Sequence, residues 1–460
     1  MIKRFALTPL AAALLLSGCV SMAPKYERPA APVAASFLVS TAAGEAASAI
    51  EWQRYFGDAR LQELVRLALA NNRDLRVAVL NIEQARAQFR ITRADRLPTL
   101  GLQATGNRVS NDNEDLSSLY SVGLGVSAFE LDLFGRVKSL SDAALAQYLA
   151  TGEARRAVQV SLVASVANAY LATLADDELL ALTQRTLTTR EESFKLVKLR
   201  FDNGVISALD LEQARSLVET ARVSLAQQQR QRAADFNLLT LLVGQPLPAT
   251  LPAAATLYDM RLADLPAGLP SDLLASRPDI RAAEQQLIAA NANIGAARAN
   301  FFPRISLTAA AGSTSSELSG LFSGGSFGWT FAPQLVLPLF DTGRNIAILG
   351  SAKAGRDIAV AQYEKAIQTA FREVSDALAG QATFAEQVRA QRAVAGAEAE
   401  RFRLAELRYQ NGVASYLDYL DAQRSLFIAQ QAAIQANLQR LQNQVTLYRV
   451  LGGGDLTAGR

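Results

Sequence analysis

Leu100, Leu102 and Ala104 alternate with Gly101, Gln103 and Thr105, and Tyr120, Val122, Leu124 and Val126 alternate with Ser121, Gly123, Gly125 and Ser127. An apolar period of two predicts strands. The second half of the chain does the same with Ile305, Leu307, Ala309 and Ala311, followed by a segment from Ser326 to Leu339. Polar loops, Ser110 to Ser118 and Ser313 to Ser326, separate the members of each pair, which predicts two hairpins over about 98–134 and about 303–340. Alternating segments of about ten residues are the signature of a transmembrane β-barrel, although a half-buried sheet gives the same alternation. Pro333 has no N–H to offer a ladder, so it is expected at or beyond the barrel's edge.

After each hairpin the period changes. Gly135 to Asn203 and Gly343 to Asn411 are rich in Ala, Leu, Gln and Arg, all strong helix formers, and contain no proline. One continuous helix of either length would reach roughly 100 Å. The alternative is two or three shorter helices with loops, broken near Gly152, Gly355, Gly380 or Gly396. Ahead of the first hairpin, Trp52, Tyr55 and Phe56 form a local apolar anchor before a helix carrying Leu61, Leu64, Val65, Ala68 and Leu69.

The halves also share motifs. Asn72-Arg73-Asp74-Leu75-Arg76 returns as Arg277-Pro278-Asp279-Ile280-Arg281, and Pro98 returns as Pro303. Arg200-Phe201-Asp202-Asn203-Gly204-Val205 returns as Arg408-Tyr409-Gln410-Asn411-Gly412-Val413. A period this long is not that of a solenoid. It marks a duplicated unit, two pseudo-equivalent parts of something with rotational symmetry. Prolines 246, 248, 252, 266, 270 and 278 mark the linker between them.

Composition narrows the chemistry. Net charge is +3, with basic and acidic residues interleaved, so no nucleic-acid partner is expected. The absence of His removes the commonest general base and metal ligand. Cys19 is the sole cysteine, which excludes an intrachain disulfide and a thiolate cluster. Lys3 and Arg4 precede an apolar run, Ala11 to Leu16, too short to span a bilayer, and Leu16-Ser17-Gly18-Cys19 follows. This is a secretory leader, and it resembles the bacterial lipoprotein signal, which implies cleavage before Cys19 and a covalent lipid on its sulfur. Val20 and Ser21 after the cysteine imply transport to the outer membrane. No other cofactor and no metal are expected.

The expected organisation is a signal peptide (1–18), a lipidated, extended N-terminal tether (19–58), a first repeat (59–244, long helices over 135–244), a linker (245–270), a second repeat (271–452, long helices over 343–451) and a tail (453–460). Four strands cannot close a barrel, and a membrane sheet has no open edge. Copies must therefore combine; a dimer would supply eight strands and a trimer twelve, and counting does not decide.

Leu131-Asp132-Leu133-Phe134-Gly135-Arg136, Leu337-Pro338-Leu339-Phe340-Asp341-Thr342-Gly343-Arg344, and above all Arg408 to Val413 followed by Leu417-Asp418-Tyr419-Leu420-Asp421-Ala422-Gln423-Arg424-Ser425-Leu426 carry a resemblance. The chain resembles outer-membrane efflux proteins of the TolC/OprM type, in the lipid-anchored OprM-like branch. The resemblance implies a mixed α and β membrane protein, a homotrimer with a twelve-stranded barrel continued by an α-helical periplasmic tunnel. It further implies a closed inner end that opens when a periplasmic adaptor (membrane fusion) protein and an inner-membrane RND-type pump engage.

Candidate gate residues follow. Asp210 and Asp418 each stand three residues after a serine, Ser207 and Ser415, and fit capping boxes. By resemblance Asp210 also bonds across to a neighbouring helix pair near Arg408 and Tyr409, and a cap leaves acceptor capacity for both roles. Asp421 shares a helix face with Asp418; three copies would form an acidic ring selecting for cations, against which stands a local pair with Arg424. Leu417 matches a position that narrows the pore as an apolar ring, and Ala414 supplies no second polar lock.

The function these features imply is a passive exit duct for drugs or other small toxic compounds. It is not an enzyme: no Gly-x4-Gly-Lys-Ser/Thr loop is present, so the pump must supply the energy. Three alternatives remain: a duct for type I protein secretion, a structural lipoprotein tethering envelope layers through a coiled coil, and a hydrolase using Ser-Lys chemistry.

Overall fold

The computed structural model describes residues 21–37, 47–110, 116–263, 265, 273 and 276–454. Cys19, and the loop residue Asn113, lie outside them. In chain order the elements are α1 (Ala59–Asn71), α2 (Arg73–Ala94), β1 (Leu100–Ser110), β2 (Leu116–Leu131), α3 (Arg136–Asp202), α4 (Ala208–Val243), α5 (Pro278–Ala299), β3 (Arg304–Ser315), β4 (Phe327–Val336), α6 (Arg344–Gln410) and α7 (Tyr416–Val450), with a single turn at Trp52–Tyr55 before α1. Packing groups the chain into two units, 1–31 with 80–153 and 279–366, and 32–79 with 154–278 and 367–460, so each takes pieces of both repeats.

The helical expectation resolves towards continuity. α3 and α6 are each unbroken over 67 residues, about 100 Å at 1.5 Å per residue. Gly152, Gly355, Gly380 and Gly396 all sit inside them, so the shorter-helix alternative fails. A helix-interior glycine costs only roughly 1 kcal/mol, too little to end a helix that packing supports. Both helices stop where the sequence changes, at the Asn-Gly turns: Gly204 and Gly412 adopt φ of 70° and 72°, open to glycine without strain.

In the first unit the four strands form one antiparallel sheet in the order β1-β2-β3-β4. The register explains the period of two. Leu102 faces Leu124, Leu124 faces Ala311, and Ala311 faces Trp329; a second row runs Leu100, Val126, Ala309, Phe331. Between them the opposite face carries Gly101, Gly125, Ala310 and Thr330, and the next row on that face is Gln103, Gly123, Gly312 and Gly328. One face is thus apolar across the full width of the sheet, yet Trp329 is 74% exposed. The Gly123–Gly312 pair permits close strand approach, since a Cβ on Gly123 would lie 2.6 Å from the Ala311 carbonyl oxygen. Pro333 does not sit beyond the strand. It lies within β4 opposite Leu307, on the outermost strand of the chain's own sheet, where a missing N–H breaks no bond to β3.

The described start of the N-terminal segment is extended and bound to α5. Met22, Pro24, Tyr26 and Arg28 lie along α5: Arg298 donates to the Met22 carbonyl at 3.1 Å and Asn291 to that of Pro24 at 2.7 Å. Arg28 forks onto Glu284 at 2.6 and 2.8 Å, and the Tyr26 hydroxyl donates to the same carboxylate at 3.0 Å. The α5 contacts recur every seven residues, two helical turns, while the strap runs antiparallel in extended conformation. Gly295 makes room, because a Cβ there would lie 2.6 Å from the Ala23 nitrogen. Burial and Glu284 together push the Tyr26 phenol upward.

In the second unit the Trp52 anchor has a clear partner. Tyr55 stacks on Tyr448 of α7 at 4.0 Å, Phe56 meets the same ring edge-on, and the Tyr448 hydroxyl donates to the Ile50 carbonyl at 2.6 Å. Leu61, Leu64, Val65 and Ala68 are fully buried, which is the amphipathic stripe read from the sequence. Asp58 caps α1, accepting from the Leu61 N–H at 2.6 Å. Midway along α3, Asp176 is buried with one oxygen unpartnered. Burial first, and then Asp235 and Asp177, push its carboxyl up to about 7 against the opposing pull of Arg232.

Candidate functional site at the Asn-Gly turns

The turns place the predicted gate residues at the ends of α3 and α6 and the starts of α4 and α7. Both capping boxes form with the same geometry. Ser207 Oγ accepts from the Asp210 N–H at 3.2 Å, and Asp210 Oδ2 accepts from the Ser207 N–H at 3.2 Å and its hydroxyl at 2.8 Å. Ser415 and Asp418 repeat these bonds at 3.2, 3.2 and 2.8 Å. Within the chain, neither Arg408 nor Tyr409 reaches Asp210 among the described contacts.

Tyr409 is engaged elsewhere. Arg200, the repeat equivalent of Arg408, donates from Nη1 to the Tyr409 hydroxyl at 2.8 Å, and its guanidinium lies 5.2 Å from the centre of the same ring. Tyr409 then packs against Tyr416 and Tyr419 at 5.3 and 5.6 Å, and Tyr419 against Phe402 at 5.5 Å. The Tyr419 hydroxyl bonds Ser193 of α3 at 3.1 Å. Val197, Leu211, Leu217 and Leu420 complete this apolar cluster, which joins helices of both repeats. Burial, then the neighbouring tyrosines and Asp210, push the Tyr416 phenol upward; its hydroxyl is buried without a partner.

The remaining candidates separate. Arg408 is exposed, and Leu417 is 57% exposed. Asp421 does not pair with Arg424. It accepts from Arg401 of α6 at 2.6 Å, and Arg401 also holds Glu398 at 3.1 Å. An inter-helix partner replaces the intra-helix one because α6 and α7 lie antiparallel across the turn. Arg424 acts on Arg190, which is buried, donates to the Leu217 carbonyl at 3.0 Å and lies 5.4 Å over the Phe427 ring. Burial, and then the positive charge of Arg424, pull the Arg190 guanidinium downward.

Sequence reasoning missed Arg200, Ser193, Tyr416, Tyr419 and Arg401. Arg200 carried a signal, being the first-repeat copy of the Arg408 motif. Tyr419 stands inside the Leu417–Leu426 motif and Tyr416 just ahead of it, and both read as ordinary helix positions. No metal-binding cluster occurs among the described residues.

A sheet with one exposed apolar face, joined to two helices of this length that end at a polar and aromatic clasp, defines an outer-membrane channel. Comparison specifies the family. The outer membrane efflux protein family matches residues 64–245 and 269–453, and the chain belongs to it. It is 51% identical to the probable efflux pump outer membrane protein TtgC of Pseudomonas putida, over 96% of this chain and 94% of that protein. It is 50% identical to the outer membrane protein OprJ of Pseudomonas aeruginosa, covering 98% and 96%. Among solved structures it is similar to the open state of the Neisseria gonorrhoeae MtrE outer membrane channel, with TM-score 0.88, 43% identity, and 95% and 98% covered. A membrane protein from Pseudomonas aeruginosa gives TM-score 0.88 at 49% identity, covering 95% and 98%.

Proposed function

We propose that the chain forms, as a homotrimer, the exit duct of a tripartite efflux system, passing antibiotics or solvent-like compounds across the periplasm and outer membrane. The observation that carries this reading is the apolar face that runs in register across all four strands of an unclosed sheet. Such a face needs lipid, and such a sheet needs other copies to close it. Three copies give twelve strands. The relatives named for toluene and antibiotic efflux favour small compounds over exported proteins.

The duct works passively, opening when a periplasmic adaptor and an inner-membrane pump bind. Cys19 carries the lipid. The α5 strap supports this, since it holds Met22 beside Arg298, near the end of α5 that leads into β3. The gate is the clasp at the turns, with Arg200 and Tyr409 at its centre and Asp210, Arg408, Leu417, Asp418, Asp421 and Arg424 around it.

Particle images of the detergent-solubilised protein test the assembly, with a threefold tube expected. Single-channel recording in planar bilayers tests the duct. A monomer that conducts nothing would overturn the proposal.

A further inference from the structure

The gate makes no use of a cavity of about 570 Å³ in the first unit, where the strands end and α3 and α6 begin. Three arginines line it, Arg136, Arg304 and Arg344, with the carboxylates Glu130, Asp132 and Asp341. Each carboxylate already holds a partner, although Asp132 keeps one buried oxygen without one. Glu130 accepts a two-pronged bond from Arg136 at 2.7 and 2.6 Å. Asp132 caps α3, accepting from the Lys138 N–H at 2.7 Å, and its other oxygen is buried near that helix start, where the dipole favours negative charge. Asp341 accepts from the N–H groups of Gly343 and Asn345 at 3.1 and 2.9 Å.

The arginines are not equally committed. Arg304 has only a 3.4 Å contact to Glu130, and the Arg344 guanidinium has no hydrogen-bond or ion-pair partner among the described residues. Two cationic forks therefore face one cavity with spare donors. Beside them the chain exposes a run of apolar side chains, Leu339 at 89% and Phe340 at 87%, continuous with Leu337.

We propose that this cavity is a phospholipid site: Arg304 and Arg344 hold the phosphate diester of a membrane phospholipid, and its acyl chains lie along Leu337, Leu339 and Phe340. The inference rests on the membrane placement of the sheet. The cavity lies at the edge where strands give way to helices, the depth at which lipid phosphates meet water. Charge complementarity selects the phosphate, and the apolar run beside it selects a lipid over free phosphate. Arginine suits the task because its planar fork binds phosphate oxygens in pairs.

Native mass spectrometry of the full assembly in detergent, titrated with phosphatidylglycerol, tests this. Bound lipid is expected on the parent, and Arg304→Gln with Arg344→Gln should weaken binding by roughly five-fold per arginine. Should the double variant fail to assemble, Arg344→Gln alone serves, because that side chain has no partner to lose among the described residues. Inorganic phosphate should not displace the lipid; displacement would mean a free-phosphate site and overturn the proposal. Phe340→Trp in vesicles with brominated acyl chains should be quenched. An unquenched indole would show that a second copy covers this face and would equally overturn it. Unchanged conductance in the arginine variants separates this test from that of the duct.

Discussion

Arg200 and Tyr409 belong to different repeats, yet a 2.8 Å hydrogen bond and the stacking of the guanidinium over the ring join them. A hydrogen bond from a charged donor in a half-buried setting contributes about 1–2 kcal/mol. That strength suits the proposed gate, which has to open on binding a partner. Tyr409→Phe, which keeps the ring and loses the hydroxyl, should raise open probability in planar bilayers and sensitise cells to large antibiotics. Arg200→Gln should do so more strongly, since it removes the cation as well. Parental conductance in both variants would place the lock elsewhere.

Asp210 and Asp418 are held by their own capping boxes. Each Asp→Ala substitution should lower stability by about 1 kcal/mol, read from thermal or denaturant unfolding. Asp210→Ala combined with Tyr409→Phe should open the channel no further than Tyr409→Phe alone. A larger effect of the pair would give Asp210 a gating partner on a neighbouring copy.

Asp421 shares Arg401 with Glu398. Asp421→Asn should reduce cation preference in reversal-potential measurements while leaving resting conductance near that of the parent. Arg401→Gln should strengthen that preference by releasing the carboxylate charge. An unchanged reversal potential in both would remove Asp421 from the pore lining.

Asp176 sets a pH dependence. Its folded carboxyl titrates at about 7, against about 3.9 in an unfolded chain. The folded state thus binds the proton more tightly. Its contribution to stability is whole below about pH 4 and is lost as pH rises through about 7. The Tm of the parent should therefore fall between about pH 5 and pH 8 by more than that of Asp176→Asn. Parallel profiles would show that Asp176 is ionised in the folded protein.

Cys19→Ala should leave the leader unprocessed at this site and abolish labelling by radioactive palmitate. Glu284→Gln should leave labelling intact but make 21–31 more sensitive to protease, because it loosens the hold on Arg28 and Tyr26. Cysteine at Ser316 should react with impermeant thiol reagents on intact cells, and cysteine at Gln391 should not. Equal labelling at both would end the duct reading.

The strands, both long helices and the two turns were legible because each rests on a local signal: a period of two, an absence of proline, an Asn-Gly pair with positive φ. Asp210 and Asp418 were legible as caps for the same reason, a serine three residues earlier. The strap was not, since contacts such as Arg28 with Glu284 join residues far apart in sequence and extended segments carry no period of their own. Arg401 was hidden similarly: helix spacing pointed Asp421 to Arg424, and only the antiparallel return of α7 along α6 brings Arg401 closer. Pro333 was misplaced because composition does not reveal which strand is outermost.

The two Asn-Gly turns share one backbone, one capping box and even the same bond lengths, but their flanking side chains differ. Where the second repeat has Tyr409 the first has Phe201, and where the second has Asp421 the first has Gln213. A trimer would thus show an approaching protein six similar corners in two alternating kinds. A binding partner that repeats six times would have to read both kinds, or adapt to each, whereas a threefold one could settle on a single kind. In such a trimer the backbone of the turns would repeat six times but the tyrosines only three, because the first repeat has Phe201, Ala208 and Leu211 where the second has Tyr409, Tyr416 and Tyr419.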